Sequence, residues 1–299
     1  MNNNEIVLCT NEKRKNYKNN EEKKFCEESS DLEKQELEKI TNFNFYIENE
    51  EDMIEKMKIL KEKFLKISED RFIKGMHTGY ANAGRTFENL IGLSNNKFEI
   101  PDFYGIEIKT KKIFKDNYIH LFSSVPDGEG LFETERLVKT YGYPDKEMRK
   151  FPVMYGDVVS NSFCKIGMKY LYKIHVNYNS KKIFLNIYDK NENLLESRIS
   201  WSFNILKEKL CRKLTAFALV DVAEKTYKNE KYFWYTNIEF YKLKDFETFI
   251  KLIDDGIIKI SINIGVYKDE KRFGKIFNHG ITFDIRRSDI NKLYSKVLI

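Results

Sequence analysis

PDFYGIEIKTKK, residues 101–112, sets Asp102, Glu107 and Lys109 around the apolar pair Ile106 and Ile108. Apolar and polar residues alternate from 106 to 109, the period of a half-buried β-strand. Ile106 and Ile108 then face one side and Glu107 and Lys109 the other. Pro101 opens the segment where a missing N–H is tolerated, and Tyr104-Gly105 reads as a turn. Such a turn brings Asp102 back beside Glu107.

That grouping fits phosphodiester hydrolysis, which needs an activated water and a cation on the phosphate. Mg²⁺ accepts carboxylate and carbonyl oxygens while keeping several waters. Asp102, Glu107 and the Ile108 carbonyl are the expected metal ligands, and Lys109 is expected over the attacking water. Glu88, from a short preceding helix, is expected at the side as an outer ligand or orienting acceptor. By itself D-x4-E-x-K is a short pattern that a chain rich in these residues also produces by chance, as an ion pair on an exposed strand. Against that reading, the motif sits on an apolar strand and follows a Gly-rich loop (Gly75, Gly79, Gly84) able to approach a phosphate closely.

Working outward, residues 1–30 are polar and charge-mixed and read as a disordered tail. Residues 31–68 read as a helical extension, with Met53, Met57, Leu60, Phe64 and Ile67 at three- and four-residue steps. A short helix is expected over Thr86–Leu93. Further on, MKYLYKIHVNY and KKIFLNIYD predict a hairpin through Asn179-Ser180. Residues 203–226 predict a mostly buried helix, KYFWYTNIEFYKL a strand, and DFETFIKLIDDG a helix closed by Gly256. IIKISINIGVY and HGITFDIR predict strands, and SDINKLYSKVL a capped final helix. Strands and helices without strict alternation indicate an α/β, mixed α+β fold. The organisation expected is two lobes, one over 69–180 that carries the motif and a C-terminal one over 181–299.

The chain has 299 residues, 41% hydrophobic and 33% charged, with a net charge of +6, which permits a nucleic-acid partner without demanding one. Cys9, Cys26, Cys164 and Cys211 form no CxxC pair, and the four histidines show no HExxH spacing, which argues against zinc and a disulfide framework. There is no signal-peptide core and no bilayer-length apolar run, so a cytoplasmic protein is expected.

The run 79–112 resembles the MvaI/BcnI family of type II restriction endonucleases, relatives of the mismatch-repair nicking enzyme MutH. The family's order appears here as Gly84-Arg-Thr86-Phe-Glu88, Leu90-Ile-Gly92, Asn96, Pro101-Asp102 and Gly105-Ile-Glu107-Ile-Lys109-Thr110. Lys213-Leu214, AFALVDVAEK and HGITFDI extend the likeness, which covers about residues 70–295. The resemblance implies a PD-(D/E)xK nuclease core with a mixed central sheet, two lobes forming a cleft around duplex DNA, Mg²⁺ dependence, and a monomer that nicks strands one at a time. It implies catalytic positions at Glu88, Asp102, Glu107 and Lys109. DNA contacts are expected from Gly84, Thr86, Thr110, Lys111, His279 and Arg286, and a cognate DNA methyltransferase as genetic partner.

The family's His-x-His-Gly-x-x-Phe-Arg motif departs here: Phe277 stands at the first His and Asp284 at the Arg, leaving His279-Gly280 and Phe283. Arg is the usual bidentate partner of guanine, so its loss bears on the CC-N-GG type of target. Arg286 and Arg287 are the nearby candidates to replace it. The alternatives are a MutH-like repair nickase and a catalytically inactive duplex-DNA-binding protein.

Overall fold

Capping and apolar spacing define the first helix, α1 (Glu50–Glu69). The Asn49 side chain accepts from the Asp52 N–H at 2.9 Å, and Glu50, Glu51 and Asp52 complement the positive end of the helix dipole. The expected stripe is the buried one: Met53, Met57, Leu60 and Phe64 are interior, with Ile67 partly so. Each such burial contributes about 1.5–3 kcal/mol relative to exposure. The computed structural model describes residues 49–93, 101–113, 118–127 and 131–299. The expected tail over 1–30, the start of the helical extension and Asn96 lie outside these residues.

The chain continues through β1 (Ile73–Lys74), α2 (Asn82–Leu90), β2 (Glu107–Lys112), β3 (Tyr118–Ser123), α3 (Leu131–Tyr141) and β4 (Tyr143–Pro144). Then come β5 (Pro152–Val158), β6 (Cys164–Ile166), β7 (Tyr170–Asn177), β8 (Lys182–Tyr188), β9 (Leu194–Ser202) and α4 (Phe203–Leu214). The last third holds β10 (Ala216–Tyr227), β11 (Glu230–Leu243), α5 (Phe246–Asp254), β12 (Ile258–Val266), β13 (Ile276–Arg286), α6 (Ile290–Leu293) and β14 (Tyr294–Val297). Among the described residues no helix is long and apolar enough to cross a membrane.

The fold is mixed α+β. One sheet runs β1-β11-β10-β2 with β14 added on β11; β2 pairs parallel to β10 and the rest are antiparallel. A second, antiparallel sheet runs β3-β13-β12-β5-β4, and a third β6-β7-β8-β9. β7 and β8 form the expected hairpin, and α5 starts on Asp245 and stops before Gly256 at φ 72°.

Two expectations need correction. Residues 203–226 are not one helix: α4 ends at Leu214, and β10 follows. The reason lies in the packing. Ala216, Ala218, Val220 and Val222 enter one apolar core, under α1 and α2, while Phe217 and Leu219 enter the other, under the two antiparallel sheets. A strand apolar on both faces shows no alternation of hydropathy. The final helix is only four residues long, because Tyr294–Val297 pairs with β11 instead and seats Tyr294 edge-on against Phe217. The sheets also interleave across residue 180. β10 and β11, from the C-terminal half, complete the sheet of β2, while β3 and β5, from before 180, join β12 and β13.

Candidate active site

The turn ahead of β2 builds the site. Phe103 and Ile106 exchange backbone hydrogen bonds of 2.9 and 2.8 Å around Tyr104 and Gly105, both at positive φ (46° and 91°). Two left-handed residues make the tight reversal of a two-residue hairpin, which glycine adopts freely and tyrosine at a cost of about 1–2 kcal/mol. The reversal lays Asp102 along the edge of β2, where its Oδ2 accepts from the Ile108 N–H at 2.8 Å. In an extended strand the N–H and C=O of one residue share an edge, so the Ile108 carbonyl lies on this same edge, away from β10.

Ile106 and Ile108 are core residues, and Glu107 is only 4% exposed. A Glu–Lys pair on a solvated strand face is therefore excluded. Lys109 Nζ donates to Glu107 Oε1 at 3.0 Å and to the Leu121 carbonyl at 3.1 Å. That carbonyl is available because β3 bulges: Phe122 pairs with Phe283 and His120 with Asp284, leaving Leu121 as the extra residue. Lys213, from the end of α4, reaches the same Oε1 at 3.4 Å. Among the described residues Glu107 Oε2 is buried with no hydrogen-bond partner, a position in which an acceptor ordinarily costs about 1–3 kcal/mol.

The carboxylates repel one another. Burial, then the charge of Glu107, push Asp102 up to about 7, against the lowering effect of the Ile108 N–H. Burial and Glu107 also raise Glu88 on α2, partly offset by Arg85 and Lys213. A group of acids that ionises reluctantly, with one orphaned buried oxygen, is a site that lacks positive charge. Among the described residues no three His, Cys, Asp and Glu side chains are arranged to hold a metal ion. A cation here would rest on Asp102, Glu107 and the Ile108 carbonyl, completed by water and phosphate oxygens. That donor set fits Mg²⁺.

Gly84 sits where α2 crosses β2: a Cβ there would stand 3.1 Å from Thr110 Oγ1 and 3.7 Å from Glu88 Oε1. Thr86 is not at the surface expected of a DNA contact. It is fully buried, its hydroxyl donating to Asn82 Oδ1 and accepting from the Met76 N–H, both at 3.0 Å, so it ties the glycine loop to α2. Thr110 is half-buried, and Lys111 Nζ donates to the Tyr118 carbonyl. Arg286 is exposed and donates to the Tyr118 hydroxyl at 2.8 Å. Arg287 is held by Asp221 and by Glu239 at 3.0 Å, which raise its pKa, and so is committed to the β2 sheet. His279 is a backbone position of β13, and its side chain lies outside the described residues.

Sequence reasoning placed Lys213 in the family likeness without a role at the site, and missed a polar cluster beside Lys109. A cavity of about 400 Å³ is lined there by Lys109, His120, Asp157, Lys259, Asn263 and Asp284, among others. Asp284 is buried and accepts from His120 Nδ1 at 3.1 Å, Ser261 Oγ at 2.6 Å and Thr282 Oγ1 at 2.9 Å. Burial alone would raise its pKa, but these donors hold it below the usual carboxylate value. The only sequence signal for the cluster was the Asp at the position of the family's Arg.

Residues 61–294 match the model of the MvaI/BcnI restriction endonuclease family. Two solved structures are similar, each at 25% identity. One is a restriction endonuclease MvaI–cognate DNA substrate complex, with a TM-score of 0.73, covering 80% of this chain and 96% of that one. The other is restriction endonuclease MvaI in the absence of DNA, with a TM-score of 0.52, covering 81% and 97%. Among curated proteins no match is found.

Proposed function

Because the chain belongs to the MvaI/BcnI restriction endonuclease family, whose members are site-specific DNA endonucleases, we propose that it hydrolyses phosphodiester bonds in short duplex sites with Mg²⁺ as cofactor. The observation that carries this reading is the buried Glu107 carboxylate, shared by Lys109 and Lys213 and left with one unsatisfied oxygen beside Asp102. When bound, the cation supplies Lewis acidity toward the phosphate and lowers the pKa of water. Asp102, Glu107 and the Ile108 carbonyl hold it, and Glu88 orients groups from the side.

Lys109, fixed by Glu107 and the Leu121 carbonyl, presents a positive charge where the nucleophilic oxygen and the developing phosphorane charge lie. Lys213 balances Glu107 and becomes available to the phosphate once other positive charge takes its place. Thr110, Lys111, Arg286 and His279 are the nearby groups proposed to meet DNA, with Gly84 allowing close approach. Thr86 is left out because its hydroxyl is satisfied internally.

The chain works as a monomer that closes two lobes on DNA and nicks its strands in sequence, in the cytoplasm, with a cognate methyltransferase protecting the host genome. Likeness to the DNA complex (TM-score 0.73) over the DNA-free enzyme (0.52) supports the clamp. Asp284 stands where the family has Arg, so a CC-N-GG-like target and a repurposed recognition surface are equally compatible with this chain. Incubating unmethylated plasmid and phage DNA with Mg²⁺ and sequencing the ends tests the reading. Discrete ends from wild type and none from Lys109→Ala are expected. Intact DNA in both would overturn it and favour a repair nickase or an inactive binder.

A further inference from the structure

The end of α4 carries Lys209, Arg212 and Lys213, spaced so that all three fall on one helix face. Like charges at this spacing repel, and the negative end of the helix dipole offsets only part of that. Their surroundings show what else they serve. Lys213 turns to Glu107, and Lys209 Nζ reaches the Ser123 carbonyl at 3.4 Å, so the face looks onto β3. Arg212 meets only Glu208, an exposed neighbour on its own helix at 3.5 Å, among the described residues. Between helix and strand lies a cavity of about 240 Å³. Apart from Lys209, Arg212 and Lys213 it is lined by Leu121, Phe122, Ser123, Lys109 and His120, and no carboxylate of the described residues lines it. Glu107 and Glu208 offset part of the charge from outside the lining, while the cations gathered over Leu121 and Phe122 keep the cavity itself positive.

We propose that this cavity seats the DNA backbone phosphate adjoining the scissile one, with Lys209 and Arg212 as its ligands. The inference rests on the nuclease reading. Lys109 belongs to both places, so a phosphate here lies next to the one being cut, and gripping it sets the register of the strand over Glu107.

The test is affinity for a duplex carrying the wild-type cleavage site, measured without divalent cation from 50 to 200 mM KCl. Wild type is compared with Lys209→Gln/Arg212→Gln, with single Arg212→Gln in case the double variant is unstable, and with Lys251→Gln on α5 as a surface control. Losing one phosphate contact is expected to make the log–log salt slope shallower by about 0.9. Preference for the site over a scrambled duplex should persist, and Lys251→Gln should match wild type. Unchanged slopes in the α4 variants would overturn the phosphate seat while leaving the nuclease reading intact. So would a loss of site preference at constant slope, which would make this a base-reading face. A wild type that does not bind duplex DNA would overturn the nuclease reading and the seat with it.

Discussion

Strands β2 and β13 carry the two motifs of this chain, yet their polar residues behave in opposite ways. Along β2 they converge: Lys109 and, from α4, Lys213 meet on Glu107, and Asp102 bonds the strand's own edge. Along β13 they disperse. Asp284 turns inward to His120, Ser261 and Thr282, Arg286 meets Tyr118, and just beyond the strand Arg287 is drawn to Asp221 and Glu239. Asp102, Glu107 and Lys109 lie within one turn and one strand, so their spacing fixes their geometry. The groups around Asp284 come from β3, β12 and β13, with Asp157 of β5 on the other side of Ser261, so one altered residue is absorbed by its neighbours.

The contrast is broken most directly at Lys109. Lys109→Ala should lower single-turnover cleavage by about a hundred- to a thousandfold, while DNA affinity without cation changes only a fewfold. A parallel collapse of affinity would mean that β2 holds DNA rather than cuts it. On β13, Asp284→Arg restores the family residue type, but it buries a cation beside His120 and removes the acceptor for three donors. Urea unfolding should show a loss of about 3 kcal/mol, against about 1 kcal/mol for Asp284→Asn. If the Arg variant were as stable as wild type, the dispersal on β13 would be a one-residue matter.

The acids of β2 sharpen the comparison through pH. With Asp102 raised to about 7, the folded protein keeps a proton that the unfolded chain releases near pH 4. Without cation, its contribution to stability is therefore present at low pH, falls as pH rises through that window, and levels off above 7. Mg²⁺ must displace the proton, so calorimetric titration should show affinity rising about fivefold from pH 6 to 7 and flattening above. A flat profile over this range would contradict the raising of Asp102 by its burial and by Glu107. The smallest effect belongs to Arg286→Ala. Its bond to Tyr118 is exposed, and thermal unfolding should register less than about 0.5 kcal/mol; a much larger loss would make Arg286 structural.

What was legible in the sequence follows the same division. The Tyr104-Gly105 reversal, the burial of Ile106 and Ile108, the α1 stripe and the stop at Gly256 all rest on neighbours in the chain, and the structure has each of them. β10 was misread as helix because a strand between two cores has no polar face to betray its period. Thr86 shows that a motif position names a residue type without its surroundings; its hydroxyl holds a loop in place. The role of Lys213 and the place of His120 stayed hidden because their partners, Glu107 and Asp284, lie far away in sequence.

The parallel pairing of β2 with β10 has a consequence for biosynthesis. β2 emerges from the ribosome well before the strand it bonds to and the lysine that shares Glu107, which come later in the chain. Contacts that distant form late. A nascent or truncated polypeptide therefore carries every letter of the motif without the enclosed carboxylate that makes it reactive. The enclosed site cannot form until β10 and the end of α4 have been made.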